Sequence, residues 1–531
     1  MGALSYHNLD RTDSFRKLKA LRPRPRLRDL LEPERVRSCS IPAGGGLVYN
    51  YAAKSVNGDI VGLLQELAFE QELVDKYRAL VNGAVMNTGE QRMVLHHLCR
   101  GQLGREILAG GKDLRRFYVE QQERISAFAE KVHAGEVRGS TGKPFMYVVQ
   151  VGIGGSDLGP RALYLALERF AREEHDGPRM EARFISNVDP DEPNDVLNRL
   201  DLEATLFVLV SKSGTTQETL TNAAFVREKM ADSGAGGLDP GKHMVAVTGE
   251  DSPLAREEGF LDVFFIDNFI GGRYSSSSAV GGTLLTLSFG RGVFENFLEG
   301  AHEADRLGLE PDLTRNAALM DALIGIYERN VLGYPVTAVL PYSQALNRFP
   351  AHLQQLDMES NGKRVNRFGE PVSYATGPVV YGEPGTNGQH SFYQLLHQGT
   401  DTIPLQFIGF KRPQHRFDVE FSGSSSQMKL NANLAAQIVA FAKGKADENP
   451  NRHFPGERPS SLIRGERLTP KSLGALLAHF ENKVMFQGFA WNINSFDQEG
   501  VQLGKSLTRQ ALEARDMDPA LRKYAELLGV R

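Results

Sequence analysis

Apolar residues recur at three- and four-residue spacing across 61–109 and again across 114–133, a period that predicts amphipathic helices. The period then changes. Residues 146–151 form a short β-branched run, and similar runs recur at 182–186, 206–210, 244–248 and 263–266. A helical pattern at 161–173 follows the first run, and further helical patterns separate several of the others. Alternating strands and helices predict a parallel, doubly wound sheet. Residues 284–332 read mainly as helices. A second α/β series opens at 336–340, continues through 379–381 and 404–408, and is followed by helices over 427–444 and 472–488. The stretch 444–467, rich in Asn, Pro, Arg and Gly, predicts a surface excursion, and 1–60 is mixed. Arg22-Pro23-Arg24-Pro25-Arg26 reads as a solvated linker sooner than as a phosphate patch.

Composition narrows this α/β reading without overturning it. A chain of 531 residues exceeds a single hydrophobic core, so two domains with appendages are expected. Hydrophobic content of 41% and charged content of 24% are those of a soluble globular protein. The net charge of −4 supplies no basic face, so no nucleic-acid partner is expected. No run of 18 apolar residues exists, so no membrane span is expected. The first residues lack a basic region followed by an apolar core, and Gly2 with Tyr6 does not complete a myristoylation motif. Two cysteines, Cys39 and Cys99, suit a reducing cytosol. His96, His97 and Cys99 invite a metal reading. Adjacent histidines point to different faces of a helix, so no metal site is expected there.

Chemistry concentrates in six stretches. Residues 152–159, with Gly152, Gly154, Gly155, Ser156 and Gly159, sit at a strand-to-helix junction, where free N–H groups and the helix dipole favour an anion. Asp157 stands where a dinucleotide fingerprint needs its third glycine, and Leu158 stands where a nucleophile elbow needs its second. Ser211-Lys212-Ser213-Gly214-Thr215-Thr216 directly follows another strand and precedes a helix. An N-cap needs one hydroxyl; this density favours a phosphate cradle. Arg273 follows Gly271-Gly272, where an arginine can hold a developing oxyanion or simply occupy a turn. Gln355-Leu356-Asp357-Met358-Glu359 ends in Asn361-Gly362, a turn signal, so Glu359 is expected near a chain reversal. Glu359 is then either solvated or a general base tuned by Asp357. His390 closes what reads as a tight turn from Gly385, near Glu383, and is either structural or an acid/base. Gln498 leads to Lys505, which can meet an anion or lie on a helix surface.

With these stretches in their order, the chain resembles the glucose-6-phosphate isomerase family over most of its length. Residues 87–96 also resemble a family segment, with Gly89 where threonine is usual. The resemblance implies two doubly wound sugar-isomerase (SIS-type) α/β domains with helical extensions: 1–120 N-terminal, 121–290 with the phosphate loop, 291–510 with Glu359 and His390, and a tail at 511–531. It implies reversible isomerisation of glucose 6-phosphate and fructose 6-phosphate, a cytoplasmic location, a homodimer, no cofactor and no metal. It assigns Glu359 to the proton moved between C2 and C1, and Arg273 to the cis-enediolate. His390, reaching over from the partner subunit, and Lys505 fall to ring opening. Ser211, Lys212, Ser213 and Thr216 match the phosphate loop; Gln355, Gln498, Gly155 and Ser156 match substrate contacts. Ser276-Ser277 and Gly214 depart from the bulkier family residues and leave the local packing open. Rival expectations are a noncatalytic sugar-phosphate sensor on the same fold and a nicotinamide-dependent oxidoreductase. The first is disfavoured by the full Glu, Arg, His and Lys set, the second by the glycine spacing.

Overall fold

A computed structural model describes residues 4–175, 177–233 and 237–530. Two sheets organise it. The first has five strands, in spatial order Val263–Phe265, Met244–Thr248, Thr205–Ser211, Tyr147–Val151 and Glu181–Ile185. All of its pairings are parallel. Parallel strands need covering on both faces, which is why Thr205–Ser211 is buried at every residue. Chain order reverses between Tyr147–Val151 and Thr205–Ser211, because the strand after the first lies on its other side. That reversal opens a crevice beyond the strands' carboxyl ends, where ligands of open α/β sheets bind. The stretches 152–157 and 211–216 are the two loops that leave those ends.

The second sheet has six strands. Ser460–Gly465, Leu405–Phe410, Val336–Tyr342 and Val379–Tyr381 are parallel, and the hairpin Ser40–Gly44 with Leu47–Asn50 adds two antiparallel strands at the edge. The N-terminal region is therefore not helical throughout. Against the hairpin edge of this sheet packs the helix Pro470–Ala490, capped by a reciprocal Thr469 and Ser472 box and buried along nearly its whole length. It packs against Arg291–Leu307 and Ala317–Ile326. A helix buried all round has no solvated face for its polar residues, so they pair internally. Glu481 and Asp305 hold Arg100, with all three side chains fully buried.

Several expectations need correction. The helical pattern of 61–109 holds only for Gly58–Glu70 and Leu73–Val81. Gly83, at φ +79°, ends the run, and short hairpins at Val85–Asn87 with Arg92–Met93 and at Leu108–Ala109 with Lys112–Asp113 follow. The supposed surface excursion 444–467 contains Ser460–Gly465, an interior strand of the second sheet. Its Ser-Ser start gives no apolar signal; the neighbouring strands bury it. Asn361-Gly362 is no hairpin turn. Residues 349–361 are helical, with a wide π turn over Gln355–Glu359, and Gly362 N–H closes the helix on the Met358 carbonyl. The turn before His390 is a short helix, Gly385–Gln389. Among the described residues no helix is long and apolar enough to cross a membrane.

Candidate active site

The two glycine- and hydroxyl-bearing loops meet the Arg273 loop at the crevice of the first sheet. Gly154 adopts φ +60°, and a Cβ on Gly155 would fall 2.2 Å from the Gly272 carbonyl carbon, so backbone packs directly on backbone there. In the second loop Ser211 Oγ donates to Thr216 Oγ1 at 3.1 Å, and Thr215 Oγ1 donates to Ser213 Oγ at 3.0 Å. Thr216 is the N-cap of the helix Gln217–Ala231, yet its side chain does not cap it. The first-turn N–H groups are left to an incoming anion. Lys212 Nζ donates to the Ile270 carbonyl at 3.0 Å, tying this loop to the Gly271-Gly272-Arg273 turn, and burial lowers the Lys212 ammonium from its ordinary range. Gly214, at φ +65°, lies against Ser252 and Leu254, which fill the space a larger residue would take.

Arg273 is 2% exposed. Its Nε donates to Ser360 Oγ at 2.6 Å, and its Nη2 donates to the carbonyls of Ser495 at 2.6 Å and Asp497 at 3.0 Å. A guanidinium carries five N–H donors, so these three bonds leave the two on Nη1. Nη1 lies 3.4 Å from Glu359 Oε1. Glu359 keeps about a fifth of its side chain exposed, and no described residue donates a hydrogen bond to its carboxylate. Arg273 Nη1 and Glu359 thus form an ion pair in which neither has a further hydrogen-bond partner among the described residues. Helix geometry brings this about: Glu359 ends the π turn and Ser360 directly follows it, so one residue presents the carboxylate while the next grips the cation.

Gln355, one helical turn earlier, comes within 3.3 Å of a Cβ built on Gly154, and its Oε1 is buried without a partner. Gln498 joins Asn87, Glu90, Lys212, Gly272 and Arg273 around a cavity of about 30 Å³. Ser156 sits half-buried at the end of the glycine loop. The matched residues of both loops, Arg273, Gln355, Glu359 and Gln498 therefore share one neighbourhood. His390 and Lys505 do not join it. Both are exposed, and no described residue makes a side-chain hydrogen bond or ion pair with either. Lys505 lies on the helix Gln502–Glu513, which has no buried residue.

Asp357 does not tune Glu359. It points to the other side of the helix, into a cavity of about 30 Å³ lined by Lys54, Asp321, Glu328 and Lys483, and burial pushes its carboxyl up to about 6. His96 stacks on Tyr274 and Cys99 is buried; among the described residues no three His, Cys, Asp or Glu side chains gather as a metal cage. Ser276 and Ser277 are accommodated: Ser276 Oγ occupies the space over Gly159, and Ser277 Oγ accepts from Arg100 Nε at 3.1 Å. The residues missed from sequence are Ser360, Ser495 and Asp497, which hold Arg273, and Tyr274, whose hydroxyl shares a hydrogen bond with Ser360 Oγ at 2.9 Å. Ser360 stood inside the singled-out stretch, and Ser495 and Asp497 just before Gln498, but small polar residues there read as turn formers.

The family model described as phosphoglucose isomerase matches residues 50–525. A glucose-6-phosphate isomerase of Treponema denticola is 57% identical over 99% of this chain and 100% of its own length. One from Borreliella burgdorferi is 47% identical over 98% of this chain and 99% of its own. The crystal structure of a glucose-6-phosphate isomerase from Chlamydia trachomatis superposes with a TM-score of 0.91 at 40% identity, covering 99% of this chain and 100% of that one.

Proposed function

The chain belongs to the phosphoglucose isomerase family, and from that premise we propose that it interconverts glucose 6-phosphate and fructose 6-phosphate through a cis-enediolate. The observation that carries the proposal is the ion pair of Glu359 Oε1 with Arg273 Nη1, 3.4 Å apart, together with an uncapped helix N-terminus on the loop that Lys212 ties to the Arg273 turn. The phosphate goes to Ser211, Ser213, Thr216 and the first N–H groups of Gln217–Ala231, with Lys212 supplying positive charge at the loop's base. Gly155 and Ser156 lie along the sugar, with Gln355 and Gln498 as amide contacts. Glu359 takes the proton from C2 of the open-chain aldose and returns it to C1. The negative charge that develops on the enediolate oxygens meets the two Nη1 hydrogens of Arg273, which a dry setting makes more effective than in water. Because Arg273 is already fixed by three bonds, little reorganisation accompanies the step.

Ring opening is assigned to His390 as acid/base, with Lys505 at the ring oxygen. Since both are exposed and neither makes a side-chain hydrogen bond or ion pair with a described residue, the proposal includes a homodimer in which His390 completes the partner's site. Supporting this, Leu503, Leu527 and Leu528 are each at least 70% exposed on the C-terminal helices, and Phe417 and Phe421 are exposed at 86% and 73%. The proposed division is 121–290 for the phosphate half and 291–510 for the half bearing Glu359 and His390, flanked by 1–120 and 511–531. A cytoplasmic location goes with the phosphorylated substrate. No cofactor is required if Arg273 supplies the charge.

The test is conversion of fructose 6-phosphate in D₂O, followed by nuclear magnetic resonance, with and without exhaustive chelation. Deuterium should enter C2 of the aldose at the same rate in both. Loss of conversion on chelation, restored only by a divalent ion, overturns the enediolate reading, whereas label below one atom per turnover measures the share of protons that Glu359 returns before its carboxyl exchanges with solvent.

A further inference from the structure

Resting on that reading of the site, we propose that Asn361 and Ser495 are positioning residues that fix the Arg273 guanidinium against Glu359. Two of the three acceptors that hold Arg273 are backbone carbonyls, those of Ser495 and Asp497. Both lie in irregular chain beyond the helix Pro470–Ala490, so no ladder of helix or sheet bonds sets their positions. Asp497 is held by Lys363, whose Nζ meets its Oδ1 at 2.5 Å, and by Asn494 Nδ2 at 2.7 Å from Oδ2. Ser495 is held by one side chain: its Oγ donates to Asn361 Oδ1 at 2.7 Å.

Asn361 is fully buried and divides its amide among three elements. Its Oδ1 accepts from Ser495. Its Nδ2 donates to the Val484 carbonyl of the central helix at 3.2 Å and approaches Asp357 Oδ1 at 3.4 Å. Asn361 closes the same helical segment that carries Glu359 and Ser360. One amide thus sets both sides of the reacting pair: the base through its own helix, and the cation through the Ser495 carbonyl. The sequence makes room for this contact. A Cβ on Gly488 would fall 1.9 Å from Ser495 Oγ and 3.3 Å from Asn361 Oδ1, so any larger residue there displaces the serine.

A merely structural hydrogen bond would add to stability and leave the chemical step alone. The positioning role predicts instead a loss confined to turnover, because a small displacement of a catalytic group costs up to about a hundredfold in rate. Ser495→Ala removes only the hydroxyl and leaves the carbonyl in the chain. We expect its kcat to fall about tenfold, with KM and the inhibition constant of inorganic phosphate within about twofold of wild type, since the phosphate loop is untouched. Ser495→Cys, a weak donor, should fall between. Asn361→Ala should lose kcat similarly, and adding it to Ser495→Ala should cost little more, as expected for two residues in one relay. Should Asn361→Ala not fold, the Ser495 pair still decides. A Ser495→Ala enzyme with wild-type kcat, or with KM raised and kcat intact, overturns the inference. Arg273→Gln, measured alongside, separates the two levels: if it keeps wild-type turnover, the site reading falls and this inference with it. If it loses turnover while Ser495→Ala keeps it, only the positioning role is lost.

Discussion

Arg273 is buried, gripped by Ser360 and two carbonyls and paired with Glu359, whereas His390 and Lys505 lie on exposed surface with no side-chain partner among the described residues. The two regions are parts of one proposed mechanism, yet only the first has its side chains paired among the described residues. The contrast follows the chemistry. Holding charge on an enediolate requires a low dielectric and donors that do not reorganise, which only buried packing provides. Opening a sugar ring needs a proton shuttle near neutral pH, and an exposed imidazole can supply it once a second subunit brings it over. The exposed apolar residues Leu503, Leu527 and Leu528, near the C-terminus, suit a surface that becomes buried only on pairing.

The buried region should fail hardest. Glu359→Gln keeps the shape and removes the base, and general-base catalysis is worth about a hundred- to ten-thousandfold, so kcat should fall by that much. Solvent deuterium should cease to enter C2 of glucose 6-phosphate, while binding of sugar-phosphate inhibitors stays near wild type. Exchange at the wild-type rate would mean that another residue moves the proton. The exposed region should fail differently. His390→Ala should lose about a hundredfold or more on cyclic substrate and less on substrate supplied open-chain. Mixing it with Glu359→Gln should recover about a quarter of wild-type activity, because about half of the dimers are hybrids and each hybrid has one of its two sites pairing an intact Glu359 with an intact His390 from the partner. No recovery would mean that His390 serves its own chain. At the phosphate end, Thr216→Ala and Lys212→Ala each remove a contact to a dianion worth about 1.5–3 kcal/mol. Inhibition by sugar-phosphate analogues should therefore weaken roughly ten- to a hundredfold. Unchanged inhibition in both variants would move the phosphate elsewhere.

The same contrast explains what the sequence disclosed. Thr205–Ser211 was legible because a parallel strand covered on both faces must be a continuous β-branched run. The loops that follow it and its neighbour were legible because glycine and hydroxyl density has a local cause at a helix N-terminus. Glu359 was legible as a carboxylate expected near a chain reversal, although the turn expected at Asn361-Gly362 proved to be a helix terminus. Ser360, Asn361 and Ser495 were opaque for the same reason in reverse. Small polar residues near glycine usually signal solvated turns, and what buries these is the helix Pro470–Ala490, more than a hundred residues from Asn361 in the chain. Ser460–Gly465 was missed likewise, its place set by Leu405–Phe410 and the N-terminal hairpin and not by its own residues.

The smallest effect tests how dry the buried region is. His352 precedes Gln355 by three residues, lies 3.4 Å from a Cβ built on Gly159 of the glycine loop, and has both ring nitrogens buried without partners. Burial alone lowers its imidazole to about 4. The unfolded chain, near the ordinary value of about 6.5, then binds a proton that the folded chain refuses throughout the interval between. This group's contribution to stability is therefore present at neutral pH and lost as pH falls from about 6.5 to about 4. Asp357, on the opposite side of the same helix, works the other way: its raised carboxyl stabilises at low pH, and that contribution is lost as pH rises from about 4 to about 6. Because the two oppose each other over one window, the wild-type profile hides both, and only a difference between variants exposes them. His352→Leu should gain about 2 kcal/mol relative to wild type between pH 7 and pH 5, at about 1.4 kcal/mol per unit. Asp357→Asn should lose stability relative to wild type over the same interval. Urea unfolding midpoints at the two pH values, compared at equal slope, measure both differences. A His352→Leu difference that stays constant with pH would mean that the imidazole takes up its proton in the folded chain, and that water reaches the back of the helix bearing Glu359.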